Sequence, residues 1–426
     1  MKWHLAELRQ KGCKTKPIGL ELIHHSYLAT DKKLMKQSKQ IKQDLINGTL
    51  QDYSPMQLRV VGAFFGTLIG DALGAPFEFL DFQPSLLSKN CVFNFPASER
   101  ELEATFKSNP IKHTQKYCSN FNMRFGCIAG QWTDDAAQMM ALLEVLTYYN
   151  GFFGSQLMFS IQDWYEHGYC IPYSKSLSKL SKKLLGTEQR AFGLGRTVGE
   201  SLEEFKSLKL ERTETSDLKT KTGNKNSCGN GALMRNSACF YFDNVVKCVQ
   251  TAIDQSLVTH QGFDSALCCA VHAYMGHCFI YQKNLDESGF VIFDQFYEIL
   301  KELNVEMTEV MTDLMNSKEP RNWKKPGPPV GTGYFGGYAV DCLYLALHQV
   351  YNYNTVNLEL LATMGGDSDS NGAVAGALLG ARYGINSFRE NWVKAVLRFD
   401  DDNLCSARCV KAIDMCNVHN NAVAAK

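Results

Sequence analysis

Glycine recurs at every fourth position in two runs, Gly62, Gly66, Gly70 and Gly74, and Gly372, Gly376, Gly380 and Gly384. A spacing of four puts roughly one glycine per turn along one helix face. Each interior glycine costs a helix about 1 kcal/mol relative to alanine. Repeating that cost makes sense where a neighbouring backbone comes too close for a Cβ. The membrane version of such a face is GxxxG. Both runs here are short and lie beside acidic clusters, so they predict close helix packing in a soluble core. No uninterrupted apolar run reaches the roughly 18–20 residues that span a bilayer, so no membrane partner is expected.

The rest of the chain also reads as mainly α. Residues 136–149, 244–259, 264–281, 335–351 and 371–384 carry apolar residues at spacings of three and four rather than in alternation. Ser54 and Pro55 form an N-cap and N1 pair that opens the first glycine run. Residues 1–55 differ in texture. The first fifty hold ten basic and four acidic residues, and the stretch 31–44 is polar and predicted helical. This part is expected to be a basic, solvated extension, residues 56–400 one helical domain, and residues 401–426 a tail. Residues 203–227 read as a surface loop or insertion, and residues 318–333, with four prolines, as a second breaker.

Charge and cysteine usage narrow the function. Lys+Arg and Asp+Glu both total 44, so no basic field favours nucleic acid. The N-terminus shows no apolar signal region, and the 15 cysteines are scattered with no CxxC pair. Reduced thiols in a cytoplasmic compartment follow as the expectation, and a cysteine zinc site is disfavoured.

The chemistry is concentrated in two acidic runs. The first is Thr133-Asp134-Asp135 and the second Asp367-Ser368-Asp369-Ser370, each just before a predicted helix. Capping uses one such residue per helix, which leaves a surplus at both places. Oxygen-only donors without His or Cys suit magnesium, manganese or calcium. If the four aspartates converge, each like-charge pair at about 4 Å costs about 4 kcal/mol at an effective dielectric of about 20. Two divalent cations would balance the four carboxylates and organise a water for displacement. The pattern is not an EF-hand, because no glutamate closes a twelve-residue loop.

Six segments then match one family in order: GTLIGDALGAPFE (66–78), GQWTDDAAQMMALLE (130–144), CGNGALMRNSA (228–238), VTHQGFDSA (258–266), GTGYFGGYAVDCLYLAL (331–347) and GGDSDSNGAVAGALLGARYG (365–384). The chain resembles the ADP-ribosylglycohydrolases, which include ADP-ribosylarginine hydrolases and dinitrogenase reductase-activating glycohydrolases. The resemblance implies an all-α orthogonal multi-helix bundle with two magnesium ions in a cleft, manganese being a substitute. It implies Thr133, Asp134, Asp135, Asp367, Asp369 and Ser370 as metal ligands. Ser368 and Ser370 stand where the family usually has threonine, and serine keeps the hydroxyl. It further implies Glu78 on a flap near the metals, and a ligand loop of Gly229, Asn230 and Gly231 with Ser227 before it and His260 beside it.

The expected activity is hydrolysis of the bond between ADP-ribose and a modified protein acceptor, arginine first, with ADP-ribose as product. Asp135 and Asp369 are the two candidates for general base, and Glu78 assists as acid or gates the site. Rival readings are another ADP-ribosyl linkage (serine, O-acetyl-ADP-ribose, nucleic acid), or a binding protein of this fold without turnover. Asp71 is expected to cap or pair. Arg235 reads equally as an ion-pair partner or a phosphate contact, and Tyr334 and Phe335 as adenine platforms or core aromatics. The oligomeric state is left open.

Overall fold

The two glycine runs face each other. They belong to antiparallel helices, and the register follows from the missing side chains. A Cβ at Gly66 would lie 2.1 Å from the Gly376 carbonyl oxygen, and one at Gly376 would lie 2.2 Å from that of Gly66. Gly62 meets Gly380 and Gly70 meets Gly372 in the same way, at 1.9–2.4 Å. At the last turn Gly74 meets the Ser368 carbonyl at 2.1 Å. Any side chain along this seam would collide with backbone, which explains why glycine is retained despite its poor helix propensity.

The computed structural model describes residues 28–79, 121–122, 127–128, 130–174, 191–213, 215–218, 228–327, 329 and 335–423. Among these the α-helices are α1 (Lys32–Asn47), α2 (Pro55–Gly74), α3 (Asp134–Tyr149), α4 (Gly154–His167), α5 (Arg196–Ser207), α6 (Val245–Leu257), α7 (Phe263–Tyr281), α8 (Asp294–Glu302), α9 (Glu309–Met315), α10 (Ala339–Asn352), α11 (Leu358–Thr363), α12 (Ser368–Tyr383), α13 (Glu390–Leu397) and α14 (Leu404–Val423). One pair of two-residue strands, β1 (Phe121–Asn122) and β2 (Cys127–Ile128), runs antiparallel. The expected all-α class is what is found.

The seam of α2 and α12 is the axis of the bundle, and α3, α7, α10 and α14 pack around it. The start of α2 follows the sequence signal closely. Ser54 Oγ accepts from Gln57 N at 3.2 Å and Gln57 Oε1 accepts from Ser54 N at 2.8 Å, a complete capping box with Pro55 at N1. From Val60 to Gly74 every residue of α2 is buried, as its all-round apolar surface requires. By length and mean hydropathy Pro55–Phe77 is the one helix among the described residues that qualifies as a membrane-crossing segment, although Arg59 and Asp71 interrupt its apolar run, and 94% of its apolar window is buried inside the protein.

The helices nearest either end of the described residues depart from expectation. The polar stretch around 31–44 is helical, capped by Asp31, but it is not a solvated appendage. Leu34, Ser38, Ile41 and Leu45 form a buried stripe against α14 and α13. Three apolar residues among many lysines look weak in composition, but their spacing aligns them on one face. Residues 404–416 are likewise core rather than tail, with Leu404, Cys405, Cys409, Ala412 and Cys416 buried. Arg408 Nε donates to Glu144 Oε1 at 2.5 Å, a buried ion pair that ties α14 to α3. Residues 203–207, expected in a loop, finish α5. Beyond them Arg212 grips Asp163 of α4 with two bonds of 2.7 and 2.8 Å. The cysteines from Cys170 to Cys416 are free thiols, buried except for half-buried Cys228.

Candidate active site

The seam stops at a cluster of acids. The same close approach that seats Gly74 on Ser368 brings Asp71 of α2, and Glu78 just beyond the short turn Ala75–Phe77 that follows α2, beside the first turn of α12. Ser368 Oγ donates to the Gly74 carbonyl at 2.8 Å and locks the junction. Both acid-bearing helices start earlier than the sequence suggested. Asp134 and Asp135 lie in the first turn of α3 and Asp369 in that of α12.

Capping does not account for these residues. Thr133 and Asp367 occupy the N-cap positions, and neither makes a side-chain cap bond. Helix α3 is instead capped from α2. The Asp71 carboxylate accepts from Thr133 N at 2.9 Å, Thr133 Oγ1 at 2.9 Å and Ala136 N at 3.1 Å. Asp71 therefore has the capping role expected of it, for a helix 62 residues away in sequence. That arrangement leaves Asp134 and Asp135 free of the task.

Asp134, Asp135, Asp367, Asp369, Ser370, Glu78, Gly229, Asn230, Gly231 and His260 all line one cleft of about 440 Å³. Thr133 lies just behind this wall, 3% exposed, where its hydroxyl also reaches Asp135 Oδ2 at 3.2 Å. Ser227 and Tyr334 lie outside the described residues. Carboxylate oxygens of Glu78, Asp367 and Asp369 come within 4.8 Å of one another. Asn230 Nδ2 donates to Asp367 Oδ2 at 2.8 Å and orients that carboxylate. The ligand loop is held by a backbone bridge of Gly229 with Tyr338, and by Asn230 N donating to the Gly337 carbonyl at 2.9 Å. Asp135 Oδ1 is buried and has no hydrogen-bond partner among the described residues.

Burial dominates the electrostatics. It raises the Asp135 carboxyl from its ordinary 3.8 to about 7, with the Asp367 charge adding to the effect. Burial also lifts Asp71, Asp134 and Asp369 well above the usual carboxylate range, helped by Asp135 for the first two and by Glu78 for the third. Buried acids facing one another are a destabilising arrangement unless a proton or a cation joins them. The donors are all oxygens, and one buried oxygen has no partner, so these residues fit a hard divalent cation.

Some lining residues escaped sequence reasoning. Gly193, Leu194, Gly195, Arg196 and Thr197 form one wall at the start of α5. Gly193 has φ +84°, and a Cβ there would lie 1.9 Å from Asp134 Oδ1, so only glycine lets this backbone lie on the carboxylate. The signal available was Gly-x-Gly before a helical pattern, a weak one. Arg196 is 91% exposed at the rim and pairs with Glu200. Phe79, also on the rim, is 47% exposed at φ 59°. Phe335 is a core aromatic, 7% exposed and stacked on Tyr344. Arg235 is fully buried behind the cleft, does not itself line it, and makes no ion pair among the described residues.

Known proteins share the sequence pattern and the fold. The sequence model of one family, described as ADP-ribosylglycohydrolase, matches residues 53–417. The ADP-ribosylarginine hydrolase Tri1 of Pseudomonas putida (strain GB-1) is 24% identical over 342 residues, 79% of this chain and 74% of that protein. The putative ADP-ribosyl glycohydrolase L543 of Acanthamoeba polyphaga mimivirus is 22% identical over 80% of this chain and 92% of its own length. A solved structure titled ADP-ribosylglycohydrolase-related protein complex shares the fold with a TM-score of 0.55 at 19% identity, covering 85% of this chain and 99% of that one. With the match covering most of the chain, from the helix that carries Asp71 to the one that carries Arg408, the protein belongs to the ADP-ribosylglycohydrolase family, a family of hydrolases.

Proposed function

We propose that the protein releases ADP-ribose from ADP-ribosylated arginine on a protein acceptor, using two divalent cations, magnesium first and manganese as a substitute. The observation that carries this reading is the convergence of Glu78, Asp367 and Asp369, with oxygens within 4.8 Å, in the cleft that also holds Asp134 and Asp135. The arginine linkage rests on similarity to Tri1, whose name states that activity.

Thr133, Asp134, Asp135, Asp367, Asp369 and Ser370 would hold the cations, which when bound neutralise the carboxylates and stabilise charge developing at the sugar. The chain's own groups do the rest. Gly229, Asn230, Gly231 and His260 form the wall that takes ADP-ribose. A water is delivered to the anomeric carbon, and Asp135, through its unpartnered Oδ1, accepts its proton. The water oxygen bonds to that carbon, the carbon–nitrogen bond breaks, and its electron pair leaves with the guanidine. Glu78, half-buried on the same cleft, donates the proton that the departing nitrogen takes up.

The test is a linkage panel. ADP-ribosyl-arginine and ADP-ribosyl-serine peptides are incubated with the protein, with and without a chelator. Release from the arginine peptide, abolished by chelation and restored by magnesium or manganese, is expected. Release from the serine peptide alone reassigns the linkage, and release from neither ends the demodification reading.

A further inference from the structure

Arg235 is a buried guanidinium whose partners are all neutral. It donates Nε to Gln255 Oε1 at 2.8 Å, Nη1 to Gln138 Oε1 at 3.1 Å and to the Gly231 carbonyl at 3.3 Å, and Nη2 to the Gln255 carbonyl at 3.0 Å and to Thr259 Oγ1 at 2.7 Å. All five of its N–H donors are thereby used. No carboxylate faces it among the described residues. A buried charge held without a counter-ion is costly and calls for a reason. Two of its five contacts reach the wall of the cleft, one at the ligand loop and one through Thr259.

The Thr259 contact has a chemical consequence. The Thr259 hydroxyl, 0% exposed, has two partners, Arg235 Nη2 and His260 Nδ1 at 2.8 Å. A guanidinium only donates, so it takes a lone pair of the hydroxyl and leaves the hydroxyl proton to find an acceptor. Among the described residues the one acceptor in reach is His260 Nδ1. The ring proton is then forced onto Nε2. That nitrogen has no protein partner among the described residues and faces the ligand loop, 3.3 Å and 3.2 Å from where Cβ atoms of Gly229 and Gly231 would stand. The ring is 2% exposed and lines the cleft. Burial, and then the Arg235 charge, push its pKa down to about 3, so the ring stays neutral.

We infer that Arg235 and Thr259 are positioning residues that fix His260 as a neutral Nε2–H donor, aimed at an anionic oxygen of the ADP-ribose pyrophosphate. The inference rests on the proposed reading for the identity of the ligand, but not for the state of the ring. Gly231 is held by the same guanidinium, so loop and imidazole are set by one group.

Two measurements decide it. In the intact protein labelled with ¹⁵N-histidine, with His260→Gln used for assignment, His260 is expected to show an unprotonated Nδ1 and a protonated Nε2 at neutral pH. A proton on Nδ1, or a charged ring, overturns the inference. ADP-ribose binding is then followed by calorimetry in Thr259→Val and Thr259→Ser. The valine variant is expected to bind about tenfold or more weakly, the loss of one hydrogen bond to a charged group, and the serine variant close to the parent. In turnover the same loss is expected in KM with kcat kept. A folded valine variant that binds like the parent overturns the inference, and if valine prevents folding the ring state still decides. If the parent protein takes up no ADP-ribose, the functional reading fails while the histidine spectrum still tests the relay.

Discussion

The glycine seam and the acidic cleft are neighbours built on opposite principles. Along the seam, backbone touches backbone, no Cβ fits, and the helices meet in a single register. One turn further on, buried like charges face each other, Asp135 Oδ1 has no partner among the described residues, and burial pushes the Asp135 and Asp369 carboxyls up. The first region gains stability from fit, and the second loses stability in order to keep oxygens available. The two are linked at Gly74 and Ser368, where the seam fixes how closely the acids come together. Tight packing at one end thus makes the strained site at the other end possible.

Placing a methyl group in the seam is the strongest way to break this comparison. Gly66→Ala puts a Cβ 2.1 Å from the Gly376 carbonyl oxygen, with no side chain to move aside. A loss of roughly 4 kcal/mol or more is expected in urea unfolding, beyond the range of ordinary substitutions. A loss under about 1 kcal/mol would mean that the helices can part cheaply.

Next in size is the response to cations. The Asp135 carboxyl is raised when folded, from 3.8 to about 7, so its contribution favours the folded state below pH 3.8 and is lost as pH rises through about 7. With chelator present, thermal stability is expected to fall between about pH 5 and about pH 8. Magnesium at a hundredfold its dissociation constant is expected to restore about 2.7 kcal/mol near the upper end and much less near the lower end. A melting temperature indifferent to both pH and magnesium would contradict the charge argument.

A smaller effect is expected for Asp369→Asn. It removes one of the crowded acids, so the cation-free protein should gain roughly 1–2 kcal/mol near neutral pH while hydrolysis is lost. A destabilised variant would show that the cleft is held together by its charges rather than burdened by them. The smallest effect tests a glycine outside the seam. A Cβ at Gly199 in α5 would meet no backbone, only the Leu194 side chain at 3.4 Å. Gly199→Ala should therefore stabilise by up to about 1 kcal/mol, the helix-propensity gain that the seam glycines forgo.

Much of this was legible in the sequence because it rests on spacing. Glycine every four residues announced a close backbone contact, and Ser54-Pro55 announced where α2 starts. The surplus of oxygens at Thr133–Asp135 and Asp367–Ser370 announced more than capping. What spacing could not give was the partner. Nothing in either run says that Gly66 meets Gly376, or that Asp71 caps a helix beginning at Asp134. The terminal helices were misread because Leu34, Ile41 and Leu45 are few among lysines, and a composition average hides a stripe. Gly193 was missed because its glycine answers to Asp134, far away in sequence, and not to its own turn. The sequence allows Arg235 an ion pair or a phosphate contact, whereas burial among amides and carbonyls gives it a third role.

The account depends on the acids of α3 and α12 acting together on a cation, and calorimetric titration of the intact protein with magnesium at neutral pH addresses that directly. Saturable heat that disappears in Asp369→Ala, with the variant still folded, is the predicted result. No heat from the intact protein, or unchanged heat from the variant, would contradict it.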